Sequence, residues 1–265
     1  MSFLRILDNI TEKNDSLLCV GLDIDLTKIK PLTNDNIEKQ ILDFNRNIID
    51  QTKEFVCAYK PNIAFYEMYG IDGINALIKT IEHIPDDIPV ILDAKRGDIG
   101  STAKAYAKSI FENYNADAIT VNPYLGFDSV EPFLNYKDKA VFVLCLTSNK
   151  SSADFQFLTD NEKPLYKIVA ENVAHWNLRY GNCGLVVGAT KAQLLKEIRE
   201  IAQDMPILIP GVGAQGGDLE TSVKFGITKE ERNRAIINVS RSIIYSENPR
   251  YEANKIRNEI NKFRK

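Results

Sequence analysis

Eight short apolar runs punctuate the chain, at residues 17–21, 55–59, 89–92, 118–121, 140–146, 184–187, 207–209 and 235–239. Each has the length of a strand buried on both faces. Between them, apolar residues recur every three or four positions. Ile37, Ile41, Phe44, Ile48 and Ile49 form one such stripe, and Leu194, Leu195, Ile198 and Ile201 another, the spacing of a helix that lays one face on a core. Strand runs alternating with helical stripes predict parallel βαβ units. Eight such units in 265 residues predict an α/β fold of the (β/α)8 TIM-barrel type, with a doubly wound open sheet as the alternative. No linker, low-complexity segment or 20–50-residue repeat breaks the pattern, so residues 1–265 read as one domain.

The residues just past each run are more informative than the run itself. In barrel enzymes the chemistry sits at the carboxyl ends of the strands. Here those ends carry Asp23 with Asp25, Lys60 with Asn62, Asp93 with Lys95, then Asn122, Thr147 with Ser148, Thr190, Gly211 with Gly213 and Gln215, and Ser240 with Arg241. The third is the densest, with Asp93, Lys95, Arg96 and Asp98 directly after a buried run. Side chains two apart on a strand face the same way, which places Asp93 beside Lys95. Charges at a buried strand end are costly unless paired, so this set reads either as a structural ion pair or as working groups.

A second signal lies at the last two strand ends. Residues 209–217 are glycine-rich, and Arg241 comes just after the eighth run. Barrels commonly hold a phosphate at this position on backbone N–H groups, and a guanidinium adds a planar donor fork suited to its oxygens.

Composition narrows the field. The net charge of −3 lacks the basic excess of an electrostatic nucleic-acid binder. The longest apolar stretch, residues 140–146, is far short of a membrane span, and residues 1–15 lack the apolar core of a signal peptide, so the chain reads as soluble and cytoplasmic. Four cysteines, each inside an apolar run and without a C-x-x-C pattern, read as reduced core residues. The two histidines, His83 and His175, fall in helical segments, and no His/Cys cluster has zinc-ligand spacing. No pyridoxal phosphate or thiamine signature is legible, so the expectation is no cofactor and no metal.

The segment Asp93-Ala-Lys95-Arg-Gly-Asp98-Ile-Gly-Ser-Thr102 resembles the signature of the orotidine 5′-phosphate decarboxylases, specifically their longer bacterial branch. Val20-Gly-Leu-Asp23, Tyr59-Lys60-Pro-Asn62, Leu146-Thr147-Ser148, Pro210-Gly-Val-Gly-Ala-Gln215 and Val239-Ser-Arg241-Ser occur in the family's order, so the resemblance spans residues 17–245. It implies a (β/α)8 barrel that converts orotidine 5′-phosphate to uridine 5′-phosphate in pyrimidine biosynthesis without a cofactor. Lys60, Asp93, Lys95 and Asp98 would form an alternating charged network. By the same resemblance, Asp23 and Lys60 would hold the ribose hydroxyls with Asn62 nearby in the substrate site, and Thr147 or Ser148 would contact the pyrimidine. Gln215, Arg241 and groups near Ser240 would hold the phosphate, with Pro210 lining the pocket and the loop from Gly211 closing over the ligand. The enzyme would be a homodimer in which Asp98, Ile99 and Thr102 reach the neighbouring site.

Two rivals fit some of the same residues. Magnesium-dependent sugar-phosphate decarboxylases and hexulose-phosphate synthases or aldolases of the same barrel type share an Asp-x-Lys-x-x-Asp strand end and a phosphate loop. A non-catalytic barrel that binds a phosphometabolite is the other, although such a protein has no reason to retain costly buried charge.

Overall fold

The computed structural model describes residues 1–29, 36–212, 218–228 and 234–264. Its main sheet has eight strands: β1 (Leu18–Gly21), β2 (Ala58–Lys60), β3 (Ile91–Arg96), β4 (Ala118–Val121), β5 (Ala140–Leu146), β6 (Cys183–Val187), β7 (Ile207–Pro210) and β8 (Ala235–Val239). All neighbouring pairs are parallel, in the spatial order β2, β1, β8, β7, β6, β5, β4, β3. Two isolated parallel bridges, Tyr59 with Val90 and Asn62 with Asp93, bring β2 against β3. The closing hydrogen bonds run from Tyr59 N–H to Pro89 O (3.1 Å) and from Asp93 N–H to Pro61 O (2.9 Å). The sheet is therefore a (β/α)8 barrel and not an open doubly wound sheet.

The strands are buried because their residues are apolar on both faces: β1, β4, β6 and β8 contain no residue outside the buried class. The helices between them track the stripes. In the helix Ile37–Thr52, Ile41, Ile48 and Ile49 are buried. In Ala192–Ala202, Leu195 and Ile198 are. An amino-terminal helix, Phe3–Lys13, buries Phe3, Leu7 and Ile10, and Phe3 meets Phe142 of β5 edge-on with ring centroids 5.7 Å apart. All four cysteines are buried and free. Among the described residues no helix is long and apolar enough to cross a membrane.

Two elements depart from the sequence pattern. The first is β3, which does not end at Leu92 but runs on through the charged residues to Arg96. Leu92 pairs with Ile119 and Arg96 with Val121, so four steps on β3 match two on β4. That slack is a bulge, and Lys95 takes it up with φ of +44°, a left-handed conformation that costs a non-glycine residue about 1–3 kcal/mol. The second is a small hairpin between β5 and its helix, Thr159–Asp160 against Lys163–Pro164, whose strands are too short and polar to register as apolar runs.

Candidate active site

The carboxyl ends of the strands surround a cleft of about 410 Å3. Of the residues singled out in the sequence, it brings together Asp23, Lys60, Asn62, Asp93, Lys95, Thr147, Ser148, Pro210, Gly211, Ser240 and Arg241. Its floor is apolar, formed by Leu144 and Leu146 of β5, Val186 of β6 and Leu208 of β7.

One wall is a row of alternating charge. Lys60 Nζ lies 3.2 Å from Asp93 Oδ2 and 4.0 Å from Asp23 Oδ1, and Lys95 Nζ lies 2.6 Å from Asp93 Oδ1. Lys60 stands at the end of β2, Asp23 just beyond β1, and both Asp93 and Lys95 on β3, so barrel closure itself assembles the row. Its depth is uneven: the Lys60 side chain is 4% exposed and that of Asp93 11%, whereas Lys95 is half exposed to the cleft. Burial works against ionisation of Asp93, but Lys60 and Lys95, with hydrogen bonds from Lys95 and Thr120, hold its carboxyl well below the usual carboxylate range. Burial likewise works against the Lys60 ammonium. Asp93 and Asp23 outweigh it and lift the group above an ordinary lysine. Both partners are thus fixed in their charged forms.

Thr120 of β4 completes the wall. Its hydroxyl donates to Asp93 Oδ1 at 2.8 Å and accepts the Lys95 backbone N–H at 3.0 Å. One side chain therefore pins the carboxylate and the bulged backbone that aims the lysine. Simple strand alternation placed Asp93 and Lys95 together; in the structure the bulge and Thr120 achieve that contact.

At the end of β5 the two hydroxyls differ. Thr147 is fully engaged: Gln156 accepts its backbone N–H and donates to its Oγ1, both at 2.9 Å, while Thr147 Oγ1 donates to Asn149 at 2.6 Å. Ser148 Oγ is buried in the cleft wall with no hydrogen-bond partner among the described residues. Gly188 makes room for it, since a Cβ there would stand 2.1 Å from Ser148 Oγ.

At the end of β8, next to β1, Arg241 is exposed and has no carboxylate partner among the described residues, and Ser240 Oγ donates to Gly21 O at 3.0 Å. Gly213 and Gln215, with the rest of residues 213–217, lie outside the described residues. Asp98, Ile99 and Thr102 do not line the cleft of their own chain. Asp98 Oδ1 accepts the adjacent Ile99 N–H at 2.8 Å, and Ile99 is 55% exposed. The histidines stand elsewhere: His83 Nε2 is 3.4 Å from Asp50, and His175 lines a separate groove beside Pro206 and Arg234.

Sequence reasoning missed Thr120, Lys28, Phe65 and Asn238, all of which line the cleft. Asn238 could have been flagged as a lone amide inside the apolar run 235–239. Thr120 gives no such signal, because a β-branched residue is at home in a strand.

The family model of the orotidine 5′-phosphate decarboxylase / HUMPS family matches residues 16–256. A curated relative from Dehalococcoides mccartyi, an orotidine 5′-phosphate decarboxylase, is 47% identical over 276 residues that cover 100% of this chain and 99% of the relative. The solved OMP decarboxylase of Leishmania donovani superposes with a TM-score of 0.90 at 44% identity, covering 100% of this chain and 99% of that one. The Leishmania donovani UMP synthase superposes at 0.92 with 45% identity, and this chain spans 57% of its length.

Proposed function

The chain belongs to the orotidine 5′-phosphate decarboxylase family, and from that membership we propose how its cleft converts orotidine 5′-phosphate to uridine 5′-phosphate and carbon dioxide. The observation that carries the assignment of roles is the charged row Asp23–Lys60–Asp93–Lys95, which shares one cleft with Arg241, a guanidinium that has no carboxylate partner among the described residues.

Loss of CO2 from C6 of the pyrimidine breaks the C6–carboxyl bond and leaves its electron pair in the ring plane, where the ring cannot delocalise it. Charge stabilisation must come from the protein. The Lys95 ammonium meets the developing charge and donates the proton that ends it, becoming a neutral amine that solvent reprotonates. Asp93, beside the substrate carboxylate, disfavours the ground state by like-charge repulsion. Lys60 and Thr120 keep Asp93 ionised and still, so that little reorganisation is needed as the bond breaks. Asp23, Lys60 and Asn62 hold the ribose hydroxyls. Ser148, with its buried hydroxyl unengaged, takes the polar edge of the base, and the already satisfied Thr147 shapes the wall beside it. Arg241, with Gln215 and groups near Ser240, holds the phosphate against an apolar floor that excludes water from the ring.

The active unit is a cytoplasmic homodimer of single barrels, with Asp98, Ile99 and Thr102 entering the neighbouring copy's cleft. Exposed apolar residues beside these support the reading: Arg96 joins Glu67 (2.8 Å) to the Tyr106 ring (5.2 Å), and Met68, Ile99, Tyr106, Tyr124 and Leu125 are all solvent-exposed.

The family model also embraces sugar-phosphate barrels, so one measurement separates the chemistries. The purified protein is monitored spectrophotometrically on orotidine 5′-phosphate in excess EDTA. Full activity supports the reading, and activity that vanishes with EDTA and returns with magnesium overturns it.

A further inference from the structure

The segment that carries Asp23 is held by side chains from several elements. Three successive backbone carbonyls at the end of β1 are capped by hydroxyls: Ser240 donates to Gly21 O at 3.0 Å, Tyr66 to Leu22 O at 2.9 Å, and Tyr245 to Asp23 O at 3.1 Å. Two amides of the same segment are also taken up, Asp25 N–H by the Tyr245 hydroxyl at 2.7 Å and Leu26 N–H by that of Tyr69 at 2.9 Å. Tyr245 therefore clasps the backbone on both sides of Ile24, as acceptor on one and donor on the other.

Tyr245 also has a covalent and hydrogen-bonded path to Arg241, at the end of β8, the strand that pairs with β1. It ends the short helix Arg241–Ile244, and its own N–H donates to Arg241 O at 3.2 Å. Its ring packs on Phe44 with centroids 5.9 Å apart and carries the Lys28 ammonium 5.7 Å from the ring centre. The phenol itself does not line the cleft. Burial raises its ionisation to about 12, so it is a neutral donor near pH 7.

We propose that Tyr245 is a positioning residue that couples the Arg241 end of the cleft to Asp23, and through Asp23 to Lys60. Asp23 Oδ1 is buried, with Lys60 Nζ as its 4.0 Å charge partner and no hydrogen bond among the described residues. Its placement thus depends on its backbone more than on its own contacts. An anion drawn to Arg241 settles the turn that holds Tyr245, and Tyr245 fixes the two peptide groups that flank Ile24. By linkage the effect is reciprocal: a ribose held at Asp23 favours phosphate at Arg241. The inference rests on Arg241 binding the phosphate, as proposed above.

A double-mutant cycle tests it. Tyr245→Phe removes the hydroxyl and keeps the ring. The loss in kcat/KM caused by Arg241→Ala is measured in the native and the Tyr245→Phe backgrounds, and coupling predicts that it shrinks at least about fivefold in the latter. The Tyr245→Phe loss should lie more in kcat than in KM, which mere loosening of the fold does not predict. A loss from Arg241→Ala that is the same in both backgrounds within about twofold overturns the coupling. An Arg241→Ala variant of unchanged KM overturns the phosphate reading beneath it. If Tyr245→Phe fails to fold, hydrogen exchange on the native protein decides. Saturating uridine 5′-phosphate must protect the amides of residues 22–28 at least about fivefold more than saturating uridine; equal protection refutes the inference.

Discussion

Replacing Asp93 by Asn is the most direct challenge to the charged row. The substitution keeps shape and removes one negative charge between two ammonium groups. Lys95 is half exposed and water can take over its solvation, so its loss is small. Lys60 is different. Its side chain is 4% exposed, and with Asp93 neutral its remaining charged partner is Asp23 at 4.0 Å. Breaking a buried pair by removing one partner costs about 3–5 kcal/mol, and the surviving Asp23 contact places this case near about 3 kcal/mol. For a chain of this size each kcal/mol moves the melting temperature by about 2–4 °C, so a fall of about 6–12 °C is expected. Denaturant titration at pH 7 reads the free energy, and adding Lys60→Met to Asp93→Asn must recover at least half of it. The pH dependence supplies a signed check. Asp93 titrates below its unfolded value near about 3.9, so its stabilisation is complete above that pH and is lost as the pH falls through the depressed folded value. The acid limb from this group must be missing in Asp93→Asn. An Asp93→Asn protein within about 0.5 kcal/mol of the native one would refute the claim that Asp93 sustains the buried Lys60 charge.

Three further outcomes are expected. Lys95→Ala abolishes decarboxylation and leaves a folded protein that still binds uridine 5′-phosphate in a calorimetric titration; appreciable turnover would remove Lys95 as the proton donor. Arg241→Ala raises KM by about tenfold or more, the loss of one charge-assisted phosphate contact, without a comparable change in melting temperature; unaltered kinetics would exclude it from the site. Gly188→Ala brings a Cβ 2.1 Å from Ser148 Oγ, so kcat/KM should fall steeply while secondary structure by circular dichroism persists, and a fully active Gly188→Ala enzyme would remove Ser148 from contact with the base.

The barrel was legible because burial on both faces of a parallel strand leaves a run with little polar content, and all eight runs became strands. The strand ends were legible because charge is expensive there. Boundaries were harder. Residues 55–57 read as strand because they continue an apolar run, and Val56 and Cys57 are fully buried, yet β2 starts at Ala58 because ladder pairing, not burial, defines it. The bulge at Lys95 left no trace: its left-handed backbone is imposed by the mismatch with β4 and stabilised from a distance by Thr120, and a single chain segment does not encode that. Thr120 and Tyr245 were invisible for a related reason. Their hydroxyls act on residues more than 20 positions away, and locally each is an ordinary strand or helix-end residue. The crossing role of Asp98, Ile99 and Thr102 was read from the resemblance alone, and they stand outside the cleft of their own chain.

The barrel's closure has a practical corollary. The β2–β3 junction is joined by two isolated bridges, one of which is formed by Asn62 and Asp93 themselves. Heat that prises the staves apart at this joint separates Lys60 from Asp93 while the other seven junctions still hold. Catalysis should then fail several degrees before ellipticity does, and a brief warm inactivation should reverse on cooling, because re-forming one joint restores the whole row.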